Sequence, residues 1–151
     1  MTGCQTIELQ EPLPGTLPAK MPDPPIEKNI HYASLVENYG RGEPYERAKI
    51  GYLLQVTKKA PYRFFRNGIL YDGVTTAEHL QAKYKKRKVI VPTARDFITK
   101  IATYSSASGK PYLAKDREGG VYFTRDLLDY ELNRLETFMD QIQTNNESTT
   151  L

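Results

Sequence analysis

Arg66-Asn67-Gly68 places a guanidinium fork beside a tight-turn dipeptide, an arrangement able to cradle a carboxylate or phosphate with side-chain and turn amides. His79 and the hydroxyls of Ser105, Ser106 and Ser108 supply the residue types of a nucleophilic pair. A run of cations, Lys83, Lys85, Lys86, Arg87 and Lys88, is followed by Arg95 and Lys110, and Tyr112 closes the serine-rich stretch. Such a run suits docking to an acidic protein or to anionic lipid headgroups.

Each group also has a structural reading. Asn-Gly is the dipeptide a tight reversal uses, and Arg66 then has Asp72 within reach as an ion-pair partner. A nucleophilic site needs a serine, a base, an orienting acid and an oxyanion hole, and no serine here sits in a nucleophile elbow. His79 is better read as a ring that holds the serine-rich connection through a hydrogen bond. Ser108-Gly109-Lys110 falls short of a phosphate-binding loop, because Tyr104 replaces the first glycine and Pro111 the final serine or threonine. The cation run also suits the C-terminal turn of a helix, where it complements the dipole and faces water.

Composition narrows the classes. The chain has 151 residues, a net charge of +3, 11 tyrosines and no tryptophan. That charge is too small and too local for a nucleic-acid binder, so no nucleic-acid partner is expected. The single cysteine, Cys4, excludes an internal disulfide, and the two histidines, His31 and His79, have no ligand-spaced companions. Acidic residues stand singly, which argues against paired-carboxylate hydrolysis and calcium loops. No cofactor and no metal is expected.

The elements that position these residues follow from local pattern. Residues 1–43 read as an extended, proline-rich arm, with Pro12, Pro14, Pro18, Pro22, Pro24 and Pro25, reaching on the order of 75 Å if about 25 residues are extended. Residues 30–39 read as a strap across the domain. A domain follows over 44–143: a helix at 44–59 with Pro44 in its first turn, and a hairpin or a reversed extended segment about Asn67-Gly68. The spacing then predicts a helix at 76–86 with Thr75 and Glu78 as a capping box. A helix capped by Thr93 comes next, then strands at 112–115 and 121–123, and a last helix at 125–142. Residues 144–151 read as a polar, flexible tail. The expected fold is a small α+β domain of about four helices and short antiparallel strands.

Thr2-Gly3-Cys4-Gln5 is similar to the end of a bacterial lipoprotein signal, with Cys4 as the lipid attachment and Gln5 directing the protein to the outer membrane. If Met1 is the native start, the protein is instead expected in the cytoplasm. Phe65-Arg66-Asn67-Gly68, His79-Leu80 with Lys83, Thr93 with Phe97-Ile98, Ala102, Ser105-Ser106 and Ser108-Gly109-Lys110-Pro111-Tyr112 together resemble the YfeK-like family of small exported bacterial proteins. Thr75-Thr76 departs from that family's acidic residue followed by alanine. The resemblance implies the periplasm, soluble or lipid-anchored, and no enzyme activity.

The expected function is therefore a non-catalytic envelope protein that binds another envelope component. Its candidate binding residues are Arg66, Asn67, His79, Lys85, Lys86, Arg87, Lys110 and Tyr112, with exposed tyrosines near Tyr112. The alternative is a small-ligand or hydrolytic domain using Arg66, His79 and the connection from Ser105 to Lys110. An enclosed pocket among those residues would favour the alternative.

Overall fold

Gly42, with φ at +66°, lets the chain turn into the first long helix, and Pro44, Glu43 and Glu46 occupy its first turn, where a missing N–H and negative charge are both favourable. The computed structural model describes residues 8–149. Within them lie α1 (Tyr32–Glu37), α2 (Glu43–Lys59), β1 (Arg63–Arg66), β2 (Ile69–Tyr71), α3 (Gly73–Lys86) and α4 (Ala94–Lys100). The chain continues through β3 (Leu113–Lys115), β4 (Val121–Phe123) and α5 (Thr124–Thr149), with short 3-10 turns at Ile26–Lys28 and Lys88–Ile90. The fold is α+β, as expected.

The four strands form one antiparallel sheet in the order β2-β1-β3-β4. Asn67 and Gly68 both take positive φ, +51° and +85°, the geometry of a two-residue hairpin turn whose twist matches its strands. The hairpin is therefore the form adopted. Phe64 faces Tyr71 on one side and Ala114 on the other.

The main core gathers Ile50 and Leu53 of α2, Leu80 of α3, Phe97 and Ile98 of α4, and Leu132, Leu135 and Met139 of α5, all buried. The stripe on α5 thus packs within the chain. A smaller core joins Tyr62, Phe64, Ala114 and Leu127.

Several expectations need correction. Helix α3 starts at Gly73, a turn earlier than the capping box implied, because the Asp72 carboxylate accepts from Thr75 N at 2.8 Å. Asp72 is thereby committed to the cap, and Gly73 lies against α2 so closely that a Cβ would run into the Thr57 carbonyl. Helix α5 continues through Thr149 rather than ending at 142, because no glycine or proline follows Arg125 to stop it.

The proline-rich segment does not stand away from the domain. It lacks regular structure, as its prolines dictate, yet Leu17 and Met21 pack on the smaller core and Ile26 is buried in the main one. Gly15 N donates to Asp126 at 2.8 Å, Tyr130 donates to Asp23 at 3.0 Å, and Arg134 donates to the Pro24 carbonyl at 2.7 Å. Apolar residues between the prolines make the segment a strap. Beyond it, Leu35 of α1 is fully buried, so the expected strap at 30–39 is partly a core helix. Cys4 lies outside the described residues.

Candidate functional site

The antiparallel register brings the distant candidates together. Phe65 of β1 pairs with Leu113 of β3, so the next positions along, Arg66 and Tyr112, meet at one end of the sheet. Helix α3 crosses that end and presents His79 and Lys83, one turn apart, on a common face.

Arg66 stacks on the Tyr71 ring, 4.8 Å from its centroid, and its Nη1 lies 3.2 Å from His79 Nδ1 and 3.3 Å from Nε2. The Tyr112 hydroxyl is 3.2 Å from His79 Nε2, and the two rings meet edge to face. Lys83 Nζ donates to three oxygens: the Ile101 carbonyl at 2.9 Å, the Tyr104 carbonyl at 2.7 Å and the Tyr112 hydroxyl at 3.4 Å. Its three donors are thus matched by three acceptors, two of them carbonyls left open where the chain leaves α4.

Electrostatics follow from this crowding. Burial, and then the charges of Arg66 and Lys83, push the His79 pKa down, so the neutral ring is favoured. The near-equal distances to both ring nitrogens put the guanidinium nitrogen over the imidazole face, where a second positive charge would be repelled. Burial, with Arg87 and Arg66 nearby, lowers Lys83 to about 8. Burial raises Tyr112 and keeps its hydroxyl protonated. Among the described residues, no carboxylate lies within ion-pair distance of Arg66, Lys83 or Arg87.

Four readings of the sequence change here. Lys83, expected to face water, is only 8% exposed. Arg66 pairs with the His79 ring and Tyr71 rather than with Asp72. The serine-rich connection is held by other residues than His79: Ser108 donates to Asn67 Oδ1 at 2.6 Å, Arg87 donates to Ser106 at 2.8 Å, and Lys83 holds Tyr104. Tyr112 is itself buried, and the exposed tyrosine of this end is Tyr104, at 49%.

Arg66, His79 and Tyr112 therefore converge, with Asn67 and Arg87 tied to the same connection, but they converge on one another. The void beside them is about 10 Å³, room for one water and no organic ligand. Lys85, Lys86 and Lys110 lie outside this knot, exposed. Past α3 the chain exposes Val89 at 96% and Ile90 at 51%, directly after the cations. Lys83 was hidden in the basic run; its one-turn spacing from His79 was the available signal.

Residues 44–136 match a family of unknown function, DUF5329. A Salmonella typhimurium protein described as uncharacterized protein YfeK is 35% identical over 69 residues, which cover 45% of this chain and 58% of that protein. The match thus spans less than two thirds of that relative. No solved structure matches the chain. The chain belongs to the DUF5329 family, of YfeK-like proteins of unknown function.

Proposed function

We propose that this protein is a non-catalytic binding module of the bacterial cell envelope that docks on an acidic envelope protein through the turn after α3. The observation that carries this reading is the 96% exposure of Val89 beside Ile90, immediately after Lys85, Lys86, Arg87 and Lys88, none of which has an acidic partner among the described residues. Apolar side chains set among unpaired cations combine desolvation with charge steering, as an interface requires. The Arg66, His79, Lys83 and Tyr112 knot ties α3, from which that turn leaves, to the sheet and has no room for a substrate at that end, which favours an interaction surface there over a ligand pocket.

Placement in the periplasm, with Cys4 as an outer-membrane lipid anchor, is part of the proposal and is supported by Thr2-Gly3-Cys4-Gln5. Because Gly15 is already pinned to Asp126, any tether from Cys4 has about 11 residues before that contact. Such a tether keeps the module near the bilayer, and Val89 with its cations also suits anionic headgroups. Replacing Lys85, Lys86 and Arg87 with glutamate and measuring capture of envelope proteins and binding to phosphatidylglycerol vesicles separates the two. Loss of a protein partner supports the proposal. Loss of vesicle binding alone moves the partner to lipid, and unchanged binding of both at low salt removes the electrostatic surface.

A further inference from the structure

A cleft of about 500 Å³ lies at the opposite end of α3's neighbour α2, walled by the strap, the end of α2, β1 and the start of α5. We propose that it binds an anionic amphiphile of the fatty-acid type, with the chain inside and the carboxylate at the rim.

Its volume falls in the range of small-molecule sites, and its interior is mainly apolar, with Val56 and Ala60 of α2, Phe64 of β1 and Leu127 of α5 facing Met21 of the strap. Prolines on the strap side suit such a wall. Pro22, Pro24 and Pro25 bring no backbone N–H that needs a partner, so chain can line an apolar space at little polar cost. The wall is fixed in place by Asp23 on Tyr130 and by Arg134 on the Pro24 carbonyl.

Polar groups around the cleft are of two kinds. The Glu131 carboxylate is closed off, accepting from Tyr52 at 2.8 Å and from Arg134, so it offers the interior no free charge. The Tyr62 hydroxyl and Thr124 Oγ1 are the two buried side-chain polar atoms without a hydrogen-bond partner among the described residues, and both residues line this cleft. Both atoms are themselves shut off from the cleft surface, so they put no polar anchor in its interior.

Charge decides which end of the ligand goes where. Lys28 and Lys59 are exposed at the lining, and neither is within ion-pair distance of an acid among the described residues. Asp23, also at the rim, is engaged by Tyr130 and Arg134. The free charge of the rim is thus positive. Burial first, and then Asp116, Tyr122 and Glu131, push the Tyr62 pKa up to about 12, so the phenol stays neutral and adds no charge to the interior. The carboxylate belongs with the lysines and the hydrocarbon with the interior.

Calorimetric titration of the full chain with decanoate, and separately with decan-1-ol, tests this. Saturable 1:1 binding of decanoate, at least about tenfold tighter than the alcohol, is expected from a paired head and a buried chain. Leu127→Trp should weaken decanoate at least tenfold by filling the cleft, and Val56→Trp does the same from the other wall should the first variant not fold. Lys28→Gln with Lys59→Gln should bring decanoate to the affinity of the alcohol. Absence of saturation, equal affinity for acid and alcohol in the native chain, or decanoate binding that survives a folded tryptophan variant overturns the assignment.

Discussion

Arg66 Nη1 lies within 3.3 Å of both ring nitrogens of His79. A protonated imidazole this close to the guanidinium would repel it, so this contact favours the neutral ring. The folded pKa of His79 is below its ordinary 6.5, and the unfolded chain therefore binds the extra proton more readily. The stabilisation is complete above about pH 6.5 and is lost as pH falls through the lower folded value. His31, packed on Gly51, is lowered by burial and acts in the same direction. Thermal unfolding at pH 7.5 and 5.0 should show a smaller acid loss in His79→Gln than in the native chain. An NMR titration that places His79 at or above 6.5 would contradict the neutral-ring account.

Lys83 has the same sign at higher pH. Its folded value near 8 lies below the ordinary 10.5, so its contribution makes the fold more stable as pH rises between those values. Tyrosines raised by burial, such as Tyr112 and Tyr62, oppose this above pH 10, where unfolded tyrosines ionise first. These contributions should therefore rise from about pH 8 and turn over near pH 10, and Lys83→Met should flatten that rise. The same variant leaves the Ile101 and Tyr104 carbonyls without their donor and should cost about 2–4 kcal/mol by chemical denaturation. A loss under 0.5 kcal/mol would show that Lys83 is not the peg described.

Much of this architecture was legible because it is local. Thr93 caps α4 as its type and position foretell, Asn67-Gly68 makes the hairpin, and β4 occupies Val121–Phe123. Local pattern fails where tertiary contacts decide. Asp72 outcompetes Thr75 for the helix cap, and the lysine at position 83 is drawn inward by two carbonyls from a segment 18 and 21 residues away. The prolines correctly excluded helix and strand, but only the sheet and α5 determine that the segment lies flat. Arg66, His79 and Tyr112 were recognisable individually; their contact depends on the register of β1 and β3.

The strap rests heavily on Arg134, which bonds the Pro24 carbonyl and the Glu131 carboxylate, with Glu131 only 3% exposed. Arg134→Met removes one member of a buried pair and strands the other. The expected cost is about 3–5 kcal/mol, with faster proteolytic nicking between Leu13 and Lys28. Resistance equal to the native chain would mean that the strap is held by its apolar contacts alone.

At the exposed turn, Val89→Ser should change stability by less than about 0.5 kcal/mol, because the side chain touches almost nothing in the free protein. Its effect should appear in binding instead, as weaker capture of the envelope partner with the salt dependence retained. Loss of stability with no change in capture would reverse that assignment.

The central claim is that the turn after α3 is the docking face. Its most direct test places a photo-cross-linking phenylalanine analogue at Val89 in the protein expressed from its complete native gene in its own host. The account predicts one discrete protein adduct in the envelope fraction, absent when Lys85, Lys86 and Arg87 are replaced by glutamate and present when the analogue-bearing chain carries the Val56→Trp substitution. No adduct, or one that persists through the charge reversal, would contradict it.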